Sequence, residues 1–315
     1  MVTGTFEVVT RPVSRTVPAV RLSGWHRLRR GIVPYAYLAP AVALLVVWTY
    51  QPLAQTAYLS FHSWNLVPTS PMAAVGTANY ERLLTTGELG EAVWHTVEVI
   101  AGMLPFTVAI PVVVALLVRR IRGRAQAVYR ALVFAPMLVA PVAGAAVWQW
   151  LLDPSAGAVN RVLGTDLNWL NTTSTAQLSL IVITGWHVVG FAVLVVWAGM
   201  TGINPDYGDA ARVDGATPGQ VTRWVTLPLL SPTLAFLGLM TVLLSAQWTF
   251  PLIDTLTQGG PVGATTNVYY LLWELGFRSH DAGLAAAAGV LFFVGFIVVA
   301  ALLTRLADRL THHDD

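Results

Sequence analysis

The sequence predicts an all-α, polytopic membrane protein, and three observations carry that reading: composition, the length of the apolar runs and the placement of the arginines. Of 315 residues, 55% are hydrophobic and only 11% charged, with a mean hydropathy of +0.63, a balance foreign to water-soluble globules of this size. All 18 basic residues are Arg. They are scattered and form no stripe, which argues against a nucleic-acid partner. Cysteine is absent, so disulfides, thiolate metal sites and a Cys nucleophile are excluded.

A helix crossing a hydrocarbon core of ~30 Å needs about twenty mostly apolar residues. Six stretches qualify: Ile32 to Tyr58, Ala92 to Val118, Tyr129 to Leu151, Leu178 to Met200, Leu229 to Leu252 and Leu284 to Thr304. They are too long and too continuously apolar for barrel strands. Residues 1–30 carry six Arg and no signal-peptide pattern, so they read as a retained cytoplasmic tail. A membrane domain over 31–304 and a short cytoplasmic tail over 305–315 follow. Fifteen Arg fall on one side of the spans, and only Arg82, Arg161 and Arg278 on the other, which places both termini in the cytoplasm. Trp64, Trp94, Trp150 and Trp169 lie near the proposed outer boundaries, where amphipathic rings prefer to sit.

Between the fourth and fifth spans, residues 203–228 predict two short helices meeting at a turn. Asn204 is a cap, Pro205 suits the first helical position, and Asp206 and Asp209 favour the positive end of the dipole. Asp214-Gly215 breaks that helix. Thr217-Pro218-Gly219-Gln220 has the spacing of a capping box, so a second helix starts there and runs towards Thr226. The elbow should present Tyr207, Val213, Val221 and Trp224 beside several charges. It suits a docking surface for a partner or, equally on helical physics, an amphipathic loop resting on headgroups.

Asp209-Ala210-Ala211-Arg212-Val213-Asp214-Gly215-Ala216, with Leu227-Pro228 downstream, closely resembles the "EAA" loop of bacterial ABC importer permeases, whose pattern is E-A-A-x-x-D-G-A and then L-P. Asp209 stands where that family usually has Glu, keeping the charge but reaching about one methylene less. Thr257-Gln258-Gly259-Gly260-Pro261 and Thr265-Thr266 resemble the segment after the fifth span in the "A" or "F" type permeases for sugars and glycerol phosphates. Leu38-Ala39-Pro40, Asn79-Tyr80 and Asn168-Trp169-Leu170 also resemble that family, and within its sugar and glycerol-phosphate branch Thr249-Phe250-Pro251-Leu252-Ile253-Asp254 and Gly260-Pro261-Val262 most resemble glycerol-3-phosphate importer permeases.

The resemblance implies a type I importer permease fold with a cytoplasmic coupling helix and no catalysis in this chain. It implies as partners a second permease subunit in a heterodimer, two ATPase subunits that bind ATP and Mg, and an extracytoplasmic solute-binding protein, all at a bacterial plasma membrane. Asp209, Ala210, Ala211, Asp214, Gly215, Ala216, Leu227 and Pro228 would couple to the ATPase. Gly259, Gly260 and Pro261 would lie near the binding protein, and Asp254, near the outer mouth, would either contact it or simply be solvated. The favoured solute is sn-glycerol-3-phosphate or a glycerophosphodiester, with a maltose- or trehalose-type sugar as the alternative.

Polar or aromatic groups at mid-membrane are costly unless they face a cavity or a partner. That singles out Thr184, His187 and Phe191, which share a helical face, with Ser245, Gln247, Trp248 and Thr249 on the fifth span and Glu98 on the second. Packing against the partner permease is the other reading of these residues, and Glu98 has the option of snorkelling outward. Six spans also fit half of an inverted-repeat secondary transporter, but such a carrier lacks the elbow and needs intramembrane acids, of which Glu98 is the one clear candidate. Neither a Gly-x-Ser-x-Gly elbow nor a His-Glu-x-x-His helix marks an intramembrane enzyme.

Overall fold

The computed structural model describes residues 24–119, 121 and 123–310; most of the expected 1–30 tail and the end of the 305–315 tail lie outside the described residues. Contacts divide the chain into a unit ending at Ala54 and a larger one from Gln55. Five helices are long and apolar enough to cross a bilayer: α1 (Tyr35–Leu59), α3 (Glu88–Val118), α7 (Thr173–Thr201), α10 (Ser231–Thr257) and α12, whose helix runs over Ala282–Leu310. A bent pair, α4 (Arg124–Phe134) and α5 (Pro141–Leu151), counts as a sixth when the two are taken together as one broken span. Shorter helices are α2 (Ala78–Thr86), α6 (Ala158–Leu163), α8 (Pro205–Val213), α9 (Pro218–Val221) and α11 (Val268–Trp273).

The third span departs from expectation. Tyr129 to Leu151 is not one straight helix but turns by 94° between Leu138 and Pro141. Pro136 falls in a short 3-10 turn, and Val139 and Ala140 are extended at ψ of 129° and 132°. A proline ring disfavours the helical region for the residue before it, and Pro141 is well placed to start a new helix. Apolar length alone does not reveal such a break.

In the second unit α7 is the central post. It packs against α3, α4 and α10, and its buried residues include Leu180, Ile183, Val188, Ala192 and Val196. Three of its glycines make room for neighbours. An added Cβ at Gly185 would stand 2.3 Å from the Phe106 ring, one at Gly190 2.2 Å from the Val133 carbonyl oxygen, and one at Gly199 2.5 Å from Thr233 Oγ1. Small residues permit this approach in lipid, where van der Waals contact must replace the hydrophobic effect between helices.

Hydroxyls on α10 link it to α3 and to Asn267, the cap of α11. Thr241 Oγ1 donates to Thr107 Oγ1 at 2.7 Å, and Asn267 Nδ2 donates to Thr249 Oγ1 at 2.9 Å. Thr107 belongs to a π turn over Pro105–Ala109, a local widening that Pro105 and Pro111 favour by removing backbone donors. On the side of the second unit where α2, α11 and the start of α12 meet, a two-stranded hairpin pairs β1 (His62–Ser63) with β2 (Ala73–Ala74). Asn79 Nδ2 ties it down by donating to the Ser60 and His62 carbonyls.

Gly190→Leu should cost about 1–3 kcal/mol of stability, towards the upper end because the obstacle is backbone. Gly295→Ala, in open space, should be neutral. Thermal melting followed by size-exclusion chromatography separates the two outcomes.

Candidate functional site: the elbow and the span recess

The elbow forms as its caps require. Asn204 Oδ1 accepts from the Asp206 amide at 3.0 Å, and Pro205 opens α8. The Thr217 hydroxyl accepts from the Gln220 amide while Gln220 Oε1 accepts from the Thr217 amide at 2.7 Å, a complete capping box. Helical structure continues from α9 through a π turn at Thr222–Thr226 into Leu227-Pro228.

The turn between α8 and α9 shows what the Ala-Ala-x-x-Asp-Gly-Ala pattern does physically. Gly215 sits at φ +87°, its amide donates to the Arg212 carbonyl at 3.0 Å, and the Ala216 amide donates to the Ala211 carbonyl at 2.9 Å. These two bonds are the Schellman closure of a helix, which needs a left-handed residue just past the cap. Ala211 and Ala216 are thereby joined, Asp214 is the cap, and only Gly adopts the required φ without strain. Asp209 pairs with Arg212 one turn on, both well exposed, so the pair adds little stability.

The surface differs from expectation at one residue. Val213 is 87% and Trp224 69% exposed, and Tyr207 is exposed too, but Val221 is buried. The turn folds α9 back on α8, and a methyl placed at Gly208 would contact Val221 Cγ1. Outside this fold-back, Ala211, Asp214, Gly215, Ala216 and Trp224 border a shallow hollow of about 300 Å³.

The residues expected along a solute path divide. Thr184, His187 and Trp248 gather with Trp148 and Trp186 around a recess of about 10 Å³ between α5, α7 and α10. The Trp148 and Trp186 rings meet edge to face at 5.6 Å. Ser245 and Thr249 are wholly buried instead, Thr249 donating to the Ser245 and Ala246 carbonyls. Gln247 is exposed, while Phe191 and Glu98 are half-buried and away from the recess. Because α3 begins at Glu88 rather than Ala92, Glu98 stands about 15 Å along it at 1.5 Å per residue, deeper than the sequence indicated. Trp148 was not singled out, because its place depends on the break before Pro141.

After α10, Gly259 at φ +81° is buried against Thr266 and Tyr270. Thr265 Oγ1 donates to the Gly260 carbonyl and meets Thr257 Oγ1 at 2.8 Å. Gly259 and Gly260 therefore build the loop's base beside Pro261. Its tip is Val262, 99% exposed, and Asp254 is half-buried on the last turn of α10. The described residues include no cluster of three or more His, Cys, Asp or Glu able to hold a metal ion.

Placing a side chain at left-handed Gly215 costs about 1–2 kcal/mol. Gly215→Ala should therefore speed hydrogen exchange at the Ala216 amide by roughly tenfold, measurable by mass spectrometry, while amides within α7 are unaffected.

With this geometry in view, known proteins are informative. Residues 106–312 match the family described as binding-protein-dependent transport system inner membrane component. A probable ABC transporter permease protein of Pyrococcus horikoshii is 30% identical over 279 residues, covering 84% of this chain and 94% of that protein. The trehalose/maltose transport system permease protein MalF of Thermococcus litoralis is 29% identical over 278 residues, 85% and 91% of the two chains. The sn-glycerol-3-phosphate transport system permease protein UgpA of Escherichia coli is 27% identical over 279 residues, 88% and 94%. The fold is shared with a chain of a bacterial ABC transporter that imports alginate, at a TM-score of 0.79, 23% identity, 91% coverage of this chain and 99% of that one. The expected type I importer architecture thus stands, apart from the broken third span, and the chain belongs to the family of inner-membrane permease components of binding-protein-dependent ABC transport systems, a non-catalytic transport subunit.

Proposed function

We propose that this chain forms half of the translocation path of an ATP-driven importer, paired with a distinct second permease subunit. Its elbow engages one of two ATPase subunits, which bind the ATP and Mg, and an external binding protein delivers the solute. Both termini and the elbow lie on the cytoplasmic side of the plasma membrane. The observation that carries this reading is the elbow itself: a turn locked by two backbone bonds holds Val213, Tyr207 and Trp224 outside the spans. Exposed apolar groups on a rigid support mark a docking surface. Asp209, Asp214, Gly215 and Ala216 then pass motion of the ATPase to the spans through Leu227-Pro228 and α10. Transport follows from two packings of similar energy between which partners choose.

For the solute, the recess favours a saccharide. Trp148, Trp186 and Trp248 offer faces for the apolar side of a pyranose ring, and His187 supplies a polar edge, while the Thr184 hydroxyl donates to the Leu180 carbonyl. A phosphate calls for guanidinium donors, and no Arg borders the recess. Glycerol-3-phosphate or a glycerophosphodiester is the second reading, favoured by the short strings shared with glycerol-3-phosphate permeases and by the relative from Escherichia coli. A recess of about 10 Å³ holds roughly one water molecule. Solute passage thus requires α5 to part from α7 and α10.

In the intact complex reconstituted with its binding protein, trehalose- or maltose-type sugars should raise the ATPase rate and glycerol-3-phosphate should not. The reverse result overturns the saccharide reading. Trp248→Ala should lower sugar uptake by up to about tenfold, on the scale of a lost stacking contact. Gly215→Pro removes both the left-handed φ and the amide that bonds Arg212. It should leave the subunit assembled, by size-exclusion chromatography, yet abolish ATP-dependent uptake, and normal uptake by that variant would count against the importer assignment.

A further inference from the structure

Beside the elbow lies a cleft of about 760 Å³. One wall is apolar, formed by Leu116, Met200 and Ile203, and the rim carries Arg119, Arg212 and Arg223. Asp209 is the one acid on the lining, and it is paired with Arg212. Arg119 and Arg223 are left without an acidic partner among the described residues. The Arg223 guanidinium lies 5.4 Å from the ring centre of Trp224, which spends a face of the cation and leaves its N–H edge for an oxyanion.

The depth of the cleft is as informative as its charge. α3 ends at Val118 with Arg119 as its cap, and α7 ends at Thr201. Leu116 and Met200 therefore belong to the last turns of two spans, Ile203 follows the end of α7, and Arg119 caps α3 at the same end. The N-terminus of α8, at Asn204 and Pro205, also borders the space and adds its positive dipole end. A soluble anion has no use for the apolar wall and a neutral lipid none for the rim.

We propose that this cleft holds an anionic phospholipid of the cytoplasmic leaflet. Its phosphodiester sits between Arg119 and Arg223, and an acyl chain lies along Leu116 and Met200. Guanidinium suits this role because its paired N–H groups match two phosphate oxygens. The placement rests on the elbow being cytoplasmic, as proposed above. The lipid would join the end of α3 to the elbow, so that the lever is braced by the membrane as well as by protein.

The test uses the complete complex, extracted in mild detergent from membranes containing phosphatidylglycerol and phosphatidylethanolamine, with bound lipid read by native mass spectrometry. Wild type should retain phosphatidylglycerol in preference to phosphatidylethanolamine. Arg119→Gln/Arg223→Gln should lose that retention by roughly tenfold or more, since each Arg near a lipid surface contributes about 1 kcal/mol. Arg119→Lys/Arg223→Lys should keep part of it, and Arg278→Gln, a control outside the cleft, should keep all. Equal retention by wild type and the Gln variant overturns the proposal, as does equal loss in Arg278→Gln. Release of the lipid by millimolar inorganic phosphate overturns it in favour of a soluble-anion site. Should the Gln variant fail to assemble, delipidated wild type titrated with phosphatidylglycerol and phosphatidylcholine decides, and absence of selection refutes the proposal. Recovery of the ATPase subunits in the same sample judges the importer reading separately.

Discussion

The close approach of three neighbours to α7 is the constraint on which the rest of the structure depends. Helices in lipid gain nothing from hiding apolar surface from one another, so contact quality must hold them together. Gly185, Gly190 and Gly199 provide it at successive levels, admitting Phe106, the backbone at Val133 and the Thr233 side chain. The first of these lies one residue from Thr184 and two from His187, so the notch that seats α3 also sets one wall of the recess. The last lies near the elbow, where α7 gives way to Asn204. A single helix thereby fixes the geometry of both functional regions.

Much of this was legible in the sequence, and the physical reasons differ from region to region. The elbow was readable because its determinants are local: Asn204, Pro205, Gly215, Thr217 and Gln220 act on atoms within five residues, and the Asn204 cap, the break at Gly215 and the capping box formed as expected. The spans were readable because lipid demands length and apolarity, which leave a strong signal. Val221 was misjudged because its burial depends on the direction in which the Gly215 turn sends the chain. The break before Pro141 was missed because hydropathy does not register backbone geometry, although Pro136 and Pro141 were there to be weighed.

The recess was only partly legible for a related reason. His187 and Trp248 were singled out as costly in lipid, and they do converge with Thr184. Ser245 and Thr249 met the same criterion, yet both are buried away from the recess: the Thr249 hydroxyl donates to carbonyls of its own helix, and the Ser245 hydroxyl has no hydrogen-bond partner among the described residues. A polar side chain in a span thus has two outlets, a cavity or its own helix, and the sequence does not say which it takes. Short hydroxyl residues have the second option, whereas His and Trp do not.

The Thr107 and Thr241 pair illustrates what that second option permits. Each hydroxyl also has a carbonyl of its own helix within reach, Met103 for Thr107 and Leu237 for Thr241. If α3 and α10 slide past one another, the cross-helix link breaks but neither oxygen is stranded in a dry interior. The seam behaves as a greased bearing rather than a weld, giving adhesion at rest and little resistance to shear, which is what a pump component needs where its moving parts meet.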